Sequence, residues 1–370
     1  MSISSIPTMT PQEQLVQRPS RRLDETPARL ALPGSEGSRS LSDELELGFF
    51  GRADDVVPLG EMVDALEAAG LRGRGGAGFP AHIKWRSVAD ATGSCVVVAN
   101  GHEGEPASAK DQWLLTRRPH LVIDGLLLAA RVIGAQRAVL YVSHPRSLHA
   151  TRAAVAEVEA AGLVPDGTRV EVFASTGGYV AGEETAVCRG ISGHPALPVA
   201  KPPRPSESGV DGLPTPVNNV ETLAHAARIR RYGADAFCAV GTDVSPGTTL
   251  FTISGAALDG GVVEAPLGTT VGQLVARVGG TPSDVGGLLM GGWFGGLLKG
   301  NRADLSCCYA AVSAAGSGLG CAAITVLGHD EDPLTLAARL GSLVRGRERP
   351  AVRGVPQRHA RHPRHARQGR

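Results

Sequence analysis

The chain has 370 residues, 42% hydrophobic and 20% charged, with a formal net charge of +1. That composition suits a globular protein of about two or three domains, and the longest apolar runs, such as 121–130, are too short to span a membrane. Six cysteines without a repeated spacing exclude a disulfide-dense secreted scaffold and offer no zinc ligand set, and residues 1–14 lack a basic segment followed by an apolar one, so a reducing, cytoplasmic setting is expected.

Residues 1–46 are rich in Pro, Ser, Arg and Glu without periodicity, which predicts a disordered arm. A helical stripe of Met62, Val63, Leu66 and Ala69 predicts a helix over 61–70, stopped by Gly70. The loop Gly73-Arg74-Gly75-Gly76-Ala77-Gly78-Phe79-Pro80 follows. A buried strand is predicted over 95–99, ending on Asn100, then a helix over 121–133, a strand over 138–143, a helix over 148–161 and a strand over 169–174. This alternation means βαβ units and a parallel sheet. Another helix is expected over 218–232. Near residue 241 the texture changes to a hairpin (248–255 with 261–265), a helix over 271–278 and a glycine-rich stretch, together a small α+β module. A strand over 322–327 and a helix over 333–343 precede the tail.

The tail, 345–370, holds nine Arg and one Glu, so residues 1–344 keep 28 basic against 35 acidic side chains (37 − 9 and 36 − 1) and are mildly acidic. That balance argues against a nucleic-acid-binding face on the main body. Only four of the 37 basic residues are Lys, at 84, 110, 201 and 299. Where Arg has so largely displaced Lys, a retained ammonium marks a position at which a guanidinium does not serve.

Four segments can carry chemistry. Gly73-x-Gly75-x-x-Gly78 matches a dinucleotide fingerprint as text but follows a predicted helix rather than a strand, so by itself it reads more readily as a flexible or turn-forming loop than as a fingerprint. Its glycines would let backbone amides approach a phosphate, with Arg74 and Lys84 as cationic donors. Asn100-Gly101-His102-Glu103-Gly104-Glu105-Pro106 lies at the carboxyl end of the first predicted strand, where doubly wound sheets bind ligands, although an exposed acidic turn has the same composition. Nothing near His102 in sequence pairs with it. Gly178-Tyr179-Val180-Ala181-Gly182-Glu183-Glu184-Thr185 places two carboxylates at an expected helix N-terminus, which the helix dipole alone would favour. In Val217-Asn218-Asn219-Val220-Glu221-Thr222, either Asn can serve as an N-cap.

In order and spacing, these segments together resemble the NADH-binding flavoprotein subunit of respiratory complex I (the F subunit of bacterial NADH–quinone oxidoreductase) and the diaphorase subunits of NAD-reducing hydrogenases and formate dehydrogenases. The resemblance covers about residues 47–343. It implies an α/β fold with a Rossmann-like FMN- and NADH-binding body over 47–240, a β-grasp module over 241–330, and the start of a helical iron–sulfur domain over 331–344. By motif match, FMN would be held by Gly73, Gly75, Lys84, Asn100, Glu103, Tyr179, Gly182, Glu183, Val217, Asn218, Asn219 and Thr222, and NAD(H) by Arg74, Phe79, Glu105, Glu184 and Lys201. No side-chain acid or base is required, because the cofactors carry the chemistry. The implied partner is an iron–sulfur electron-transfer protein, thioredoxin-like or ferredoxin-type, with no nucleic acid and no membrane span of the chain's own, although it could sit peripherally on a membrane complex.

The chain also departs from the pattern. His102 stands where the family usually has Asp, Gly104 where it often has Ser, and Ser87 and Arg204 where stacking aromatic rings are usual. The family's [4Fe–4S] cluster should be ligated just after residue 343, yet the tail has no Cys; Cys307, Cys308 and Cys321 lie too early and read as core residues or free thiols, so no metal ligand is assigned. Synonymous codons for 344–360 can be chosen so that, read one base later, they encode Phe-Ala-Gly-Glu-Ser-Ala-Pro-Gln-Cys-Gly-Ala-Cys-Arg-Ser-Gly-Thr, which has the Cys-x-x-Cys spacing of the missing segment. A frame slip near codons 340–344 is therefore one reading of the tail, and a genuine basic, disordered tail the other. Function follows the same division. The chain is an NADH:acceptor oxidoreductase passing electrons from FMN to an iron–sulfur partner, or it is a non-catalytic or truncated subunit that keeps the fold for assembly.

Overall fold

The computed structural model describes residue 30 and residues 37–51, 57–89, 93–256, 258–293, 295–332, 335–338 and 340–342. The tail 345–370 and most of the predicted arm lie outside the described residues. Within the arm, however, Leu41–Glu46 forms helix α1, closed by a reciprocal capping box between Ser40 and Asp43. Glu44 is buried and takes Arg118 as a bidentate partner (Nε to Oε1 2.7 Å). The stabilising contact is therefore tertiary, which is why local composition missed it.

Helix α2 (Leu59–Ala68) buries Met62, Val63 and Leu66, and Gly70 adopts φ +58°, the left-handed stop expected of it. The glycine loop leads straight into α3 (Ala81–Ala89), so it joins two helices and not a strand to a helix. The body then alternates β1 (Val96–Gly101), α4 (Lys110–Arg117), α5 (Pro119–Ile133), β2 (Arg137–Val142), α6 (Pro145–Ala160), β3 (Arg169–Ala174), α7 (Glu184–Ile191), β4 (Val217–Asn219) and α8 (Val220–Tyr232). All four strands are parallel, in the order β3-β2-β1-β4. The valine run of β1 feeds both faces: Val97 and Ala99 join the main core with α5 and α8, while Val96 and Val98 pack with Val139, Val187 and Val210 on the other side. A sheet covered on both faces needs near-continuous apolar strands, as found. Strand β4 and helices α3 and α4 are not predicted from the sequence; residues 218 and 219 of β4 open the segment 218–232 expected to be wholly helical.

The second module contains β5 (Thr248–Gly255), β6 (Gly261–Pro266), α10 (Val271–Arg277), β7 (Gly287–Met290), β8 (Leu297–Lys299) and β9 (Ala323–Leu327), after the short α9 (Ala234–Cys238). Its sheet runs β8-β7-β9-β5-β6, with β9 parallel to β5 and its other pairings antiparallel. First and last strands parallel and adjacent at the centre, with a helix between hairpins, is the β-grasp arrangement. Residues 335–338 and 340–342 are helical, within the expected C-terminal helix. No helix among the described residues is long and apolar enough to cross a membrane.

Candidate functional site

Strand order reverses between β1 and β4: the chain builds outward from β1 through β2 to β3, then returns to β4 on β1's other edge. Ligands of open parallel sheets bind in the crevice outside the carboxyl ends of the strands at such a switch point. Here Asn100 of β1 and Asn219 of β4 are register partners at those ends. A cleft of about 640 Å³ opens over them, within the usual size range of cofactor sites.

The cleft is lined by Gly73, Gly75, Phe79, Lys84, Asn100, Gly182, Glu183, Glu184, Lys201, Val217, Asn218, Asn219 and Thr222 among the expected site residues. Val217, Asn218 and Thr222 form a buried floor; Phe79, Ile83, Lys201, Arg204 and Glu207 are exposed at the rim. The floor is fixed by hydrogen bonds from distant segments. Asn100 Nδ2 donates to Gly182 O at 2.9 Å, Trp85 Nε1 to Asn218 Oδ1 at 3.4 Å, and Arg74 N to Thr222 Oγ1 at 2.9 Å. Asn219 does cap α8, accepting from Glu221 N at 3.0 Å, while its Nδ2 donates to Asp111 Oδ2 at 2.7 Å.

The glycine loop forms one wall. Gly73 N donates to Phe79 O at 2.8 Å and closes it into a ring, whereas the amides of Gly75, Gly76, Ala77 and Gly78 donate to no described residue. Gly76 and Gly78 have φ of +129° and +61°, backbone values that glycine adopts at no steric cost. Lys84 adds a cation whose Nζ donates to Val217 O at 2.8 Å and reaches Glu184 at 3.5 Å. Across the cleft Glu183 caps α7, accepting from Thr185 N at 2.8 Å and Ala186 N at 3.2 Å. Lys201 Nζ bridges Glu183 and Glu184 at 2.9 and 2.6 Å. Burial alone would raise both carboxyls, but Thr185 and Lys201 hold Glu183 below its usual range, and Lys201 and Lys84 do the same for Glu184.

Four expected site residues do not line the cleft. The Arg74 guanidinium turns away into the second module, donating to Thr248 O at 3.1 Å and Tyr309 OH at 3.2 Å. Glu103 caps α4, accepting from Asp111 N at 3.2 Å and Gln112 N at 3.0 Å, and burial together with Asp111 pushes its carboxyl up to about 7. Tyr179 OH donates to Glu105 Oε2 at 3.0 Å, and Glu105 packs beside Gly292. The Arg74 and Tyr179–Glu105 contacts are made across long sequence separations, so the local motif could not distinguish these residues from lining positions.

His102 has no partner nearby in sequence, as expected, and is held by residues 73 and 76 positions away. It is 8% exposed and both ring nitrogens are engaged, with Nε2 2.9 Å from Gly178 O and Nδ1 2.9 Å from Ser175 Oγ. Since a carbonyl only accepts, Nε2 donates to Gly178 O, while Ser175 Oγ beside Nδ1 donates its own proton to Tyr141 OH at 2.9 Å. Burial keeps the imidazole below its usual pKa, hence neutral. Beneath the cleft, Lys110 is 1% exposed and forms ion pairs with Asp111 (2.7 Å) and Glu221 (2.9 Å). Those two carboxylates hold its ammonium charged against burial, and Lys110 in turn pulls Glu221 well down. Ile83, Ser206, Glu207 and Thr215 also line the cleft and lie outside the sequence motifs that pointed to it. The six cysteines are free, and among the described residues no group of three or more His, Cys, Asp or Glu is placed to hold a metal ion.

Comparison with known proteins agrees with this geometry. Residues 66–228 match the Nuo51 FMN-binding domain. The chain is 34% identical over 293 residues to the second NADH-quinone oxidoreductase F subunit of Rhizobium meliloti (strain 1021), covering 76% of this chain and 70% of that protein. It is 33% identical over 290 residues to the NADP-reducing hydrogenase subunit HndC of Solidesulfovibrio fructosivorans, covering 75% of this chain but 59% of the relative. A crystal structure of NAD+-reducing [NiFe]-hydrogenase in the H2-reduced state superposes with a TM-score of 0.71 at 32% identity, covering 80% of this chain and 51% of that one. The chain thus spans between about half and 70% of the length of these relatives. With the switch-point cleft, the glycine wall and the paired glutamates in the matched region, the chain belongs to the flavoprotein family formed by the F subunits of NADH-quinone oxidoreductase and the related hydrogenase subunits.

Proposed function

We propose that the cleft holds FMN against its glycine wall and a nicotinamide dinucleotide over it, making the chain an NADH:acceptor oxidoreductase subunit. The observation that carries this reading is the wall itself: four consecutive amides without an internal acceptor, beside the Lys84 ammonium, in a cleft at the switch point. Such a donor set fits a phosphate monoester. When bound, FMN would supply a hydride acceptor and release the two electrons singly.

The chain's own residues bind and orient. Gly75 to Gly78 and Lys84 take the phosphate, and Asn100, Asn218 and Thr222 present polar groups to hydroxyls from the floor. A Cβ on Gly75 would meet Asn219 Cβ at 3.2 Å, so the wall comes this close to the floor only as glycine. Phe79 and Ile83 at the rim cover the dinucleotide and exclude water. Because Lys84 and Lys201 compensate Glu183 and Glu184, an anionic ligand meets no uncompensated carboxylate of that pair. Electrons would pass to an iron–sulfur partner protein.

The test is a visible spectrum of the purified chain incubated with FMN. Flavin bands near one FMN per chain, bleached by NADH, with turnover on ferricyanide, are expected. A colourless protein that takes up no FMN would refute the reading. The changes at His102, Ser87 and Arg204 favour a second reading, an assembly subunit without turnover, and FMN that binds but is never bleached by NADH would select it.

A further inference from the structure

Six ionisable side chains line the cleft: Lys84, Glu183, Glu184, Lys201, Arg204 and Glu207. Five are committed. Lys84 and Lys201 are paired with the two adjacent glutamates. Glu207 is turned to its own backbone, its Oε2 accepting from Arg204 N at 2.9 Å, while Glu207 N and Ser208 N donate back to Arg204 O at 2.8 and 2.9 Å. The Arg204 guanidinium makes no ion pair, side-chain hydrogen bond or ring contact with any described residue.

Its backbone, by contrast, is anchored. The next residue, Pro205, is buried and accepts from Thr215 N at 2.7 Å on the buried side of the cleft. A fixed turn therefore carries a free, always-charged planar donor at the rim, next to the Ser206 hydroxyl. A guanidinium offers phosphate two parallel donors, which an ammonium does not. Lys201, three residues earlier, is already occupied by carboxylates and does not compete for that phosphate.

We propose that Arg204 is a specificity-determining residue that binds a phosphate ester on the adenosine ribose, so that the chain accepts NADP(H) in preference to NAD(H). This rests on the reading of the cleft as a dinucleotide site and extends it. Because the guanidinium could instead meet the pyrophosphate common to both dinucleotides, the experiment separates the two phosphates.

The FMN-loaded chain is titrated calorimetrically with 2′,5′-ADP and with ADP, and the same pair is run on Arg204→Gln. About tenfold tighter binding of 2′,5′-ADP, abolished in Arg204→Gln, is expected. The NADPH-to-NADH ratio of kcat/KM should fall about tenfold in the same variant. If ADP binds and 2′,5′-ADP binds no tighter, or if the substitution weakens both alike, the proposal is overturned while the dinucleotide reading stands. If FMN binds but neither nucleotide does, both fall together.

Discussion

The loop from Ser175 to Gly182 leads into the cleft lining at Gly182, and His102 is what fastens it. The ring bridges Ser175 Oγ and Gly178 O, and a Cβ on Gly182 would lie 2.9 Å from its Cδ2, so imidazole and loop are in close contact. His102→Leu keeps an apolar side chain of similar size but removes both hydrogen bonds. At about 0.5–1.5 kcal/mol net for each, the loss is about 1–3 kcal/mol. Gly178 is exposed, so water can replace one partner and the lower half of that range applies to global stability. The melting temperature should fall by only a few degrees. Binding should suffer more, because a loosened loop must be ordered again when ligand enters; FMN affinity, read from quenching of flavin fluorescence, should drop about tenfold. His102→Gln can place an amide N–H near the Nε2 position and should recover most of it. Since the imidazole is neutral and its pKa lies below the usual value, wild-type affinity should be flat from about pH 7 upward and change only on the acid side. If Leu binds FMN as tightly as His, or if Gln is no better than Leu, the donor to Gly178 O is not what orders the loop.

Four other outcomes are expected. Lys84→Ala removes a cation that lines the cleft beside the glycine wall and should weaken FMN binding by roughly 10- to 100-fold in the same titration, the range of a charge-assisted hydrogen bond. Lys110→Met leaves Asp111 and Glu221 buried without their cation, and should cost about 3–5 kcal/mol, seen as a fall in melting temperature of roughly 10 °C; a loss of only a degree or two would mean that the pairs are not coupled to folding. Burial pushes the Asp124 carboxyl up to about 7, so the folded state holds a proton that the unfolded chain releases near pH 4. Stability should therefore decline as pH rises from about 4 through 7, and Asp124→Asn should flatten that slope, by up to about 4 kcal/mol across it. Finally, sequencing the gene across codons 340–360 should reveal a single-base slip whose correction yields Cys-x-x-Cys; codons for 344–360 that cannot encode those cysteines in the shifted frame would make the basic tail genuine, and the frame-corrected protein alone should show iron–sulfur absorbance.

What was legible in the sequence was local. The strand over 169–174 and the hairpin beginning at 248 follow from alternation and turn chemistry and lie where expected. The scarcity of Lys was informative too, since Lys84 and Lys201 line the cleft and Lys110 lies under it. Strand β4 was not legible. Three residues carry no period, and Asn219, both its last residue and the cap of α8, made 218–232 read as one helix. Helix α4 was hidden because it buries Lys110, Asp111 and Gln112, a pattern that the remote Glu221 and Asn219, together with Glu103, make tolerable. His102 likewise finds its partners 73 and 76 residues away.

Arg74 shows why such misreadings matter for the site. Its place in the glycine loop suggested a ligand donor, yet its guanidinium holds Thr248 O and Tyr309 OH, both in the second module. Glu221, at the start of α8, reaches the same module by accepting from Thr249 Oγ1 at 2.8 Å and Leu250 N at 2.9 Å. The change of texture near 241 is a boundary in sequence. In the folded chain, the wall that would carry the phosphate is held from behind by the β-grasp sheet. The second module is therefore part of what shapes the cleft, and the body alone, cut at 240, would strip Arg74 and Glu221 of these partners.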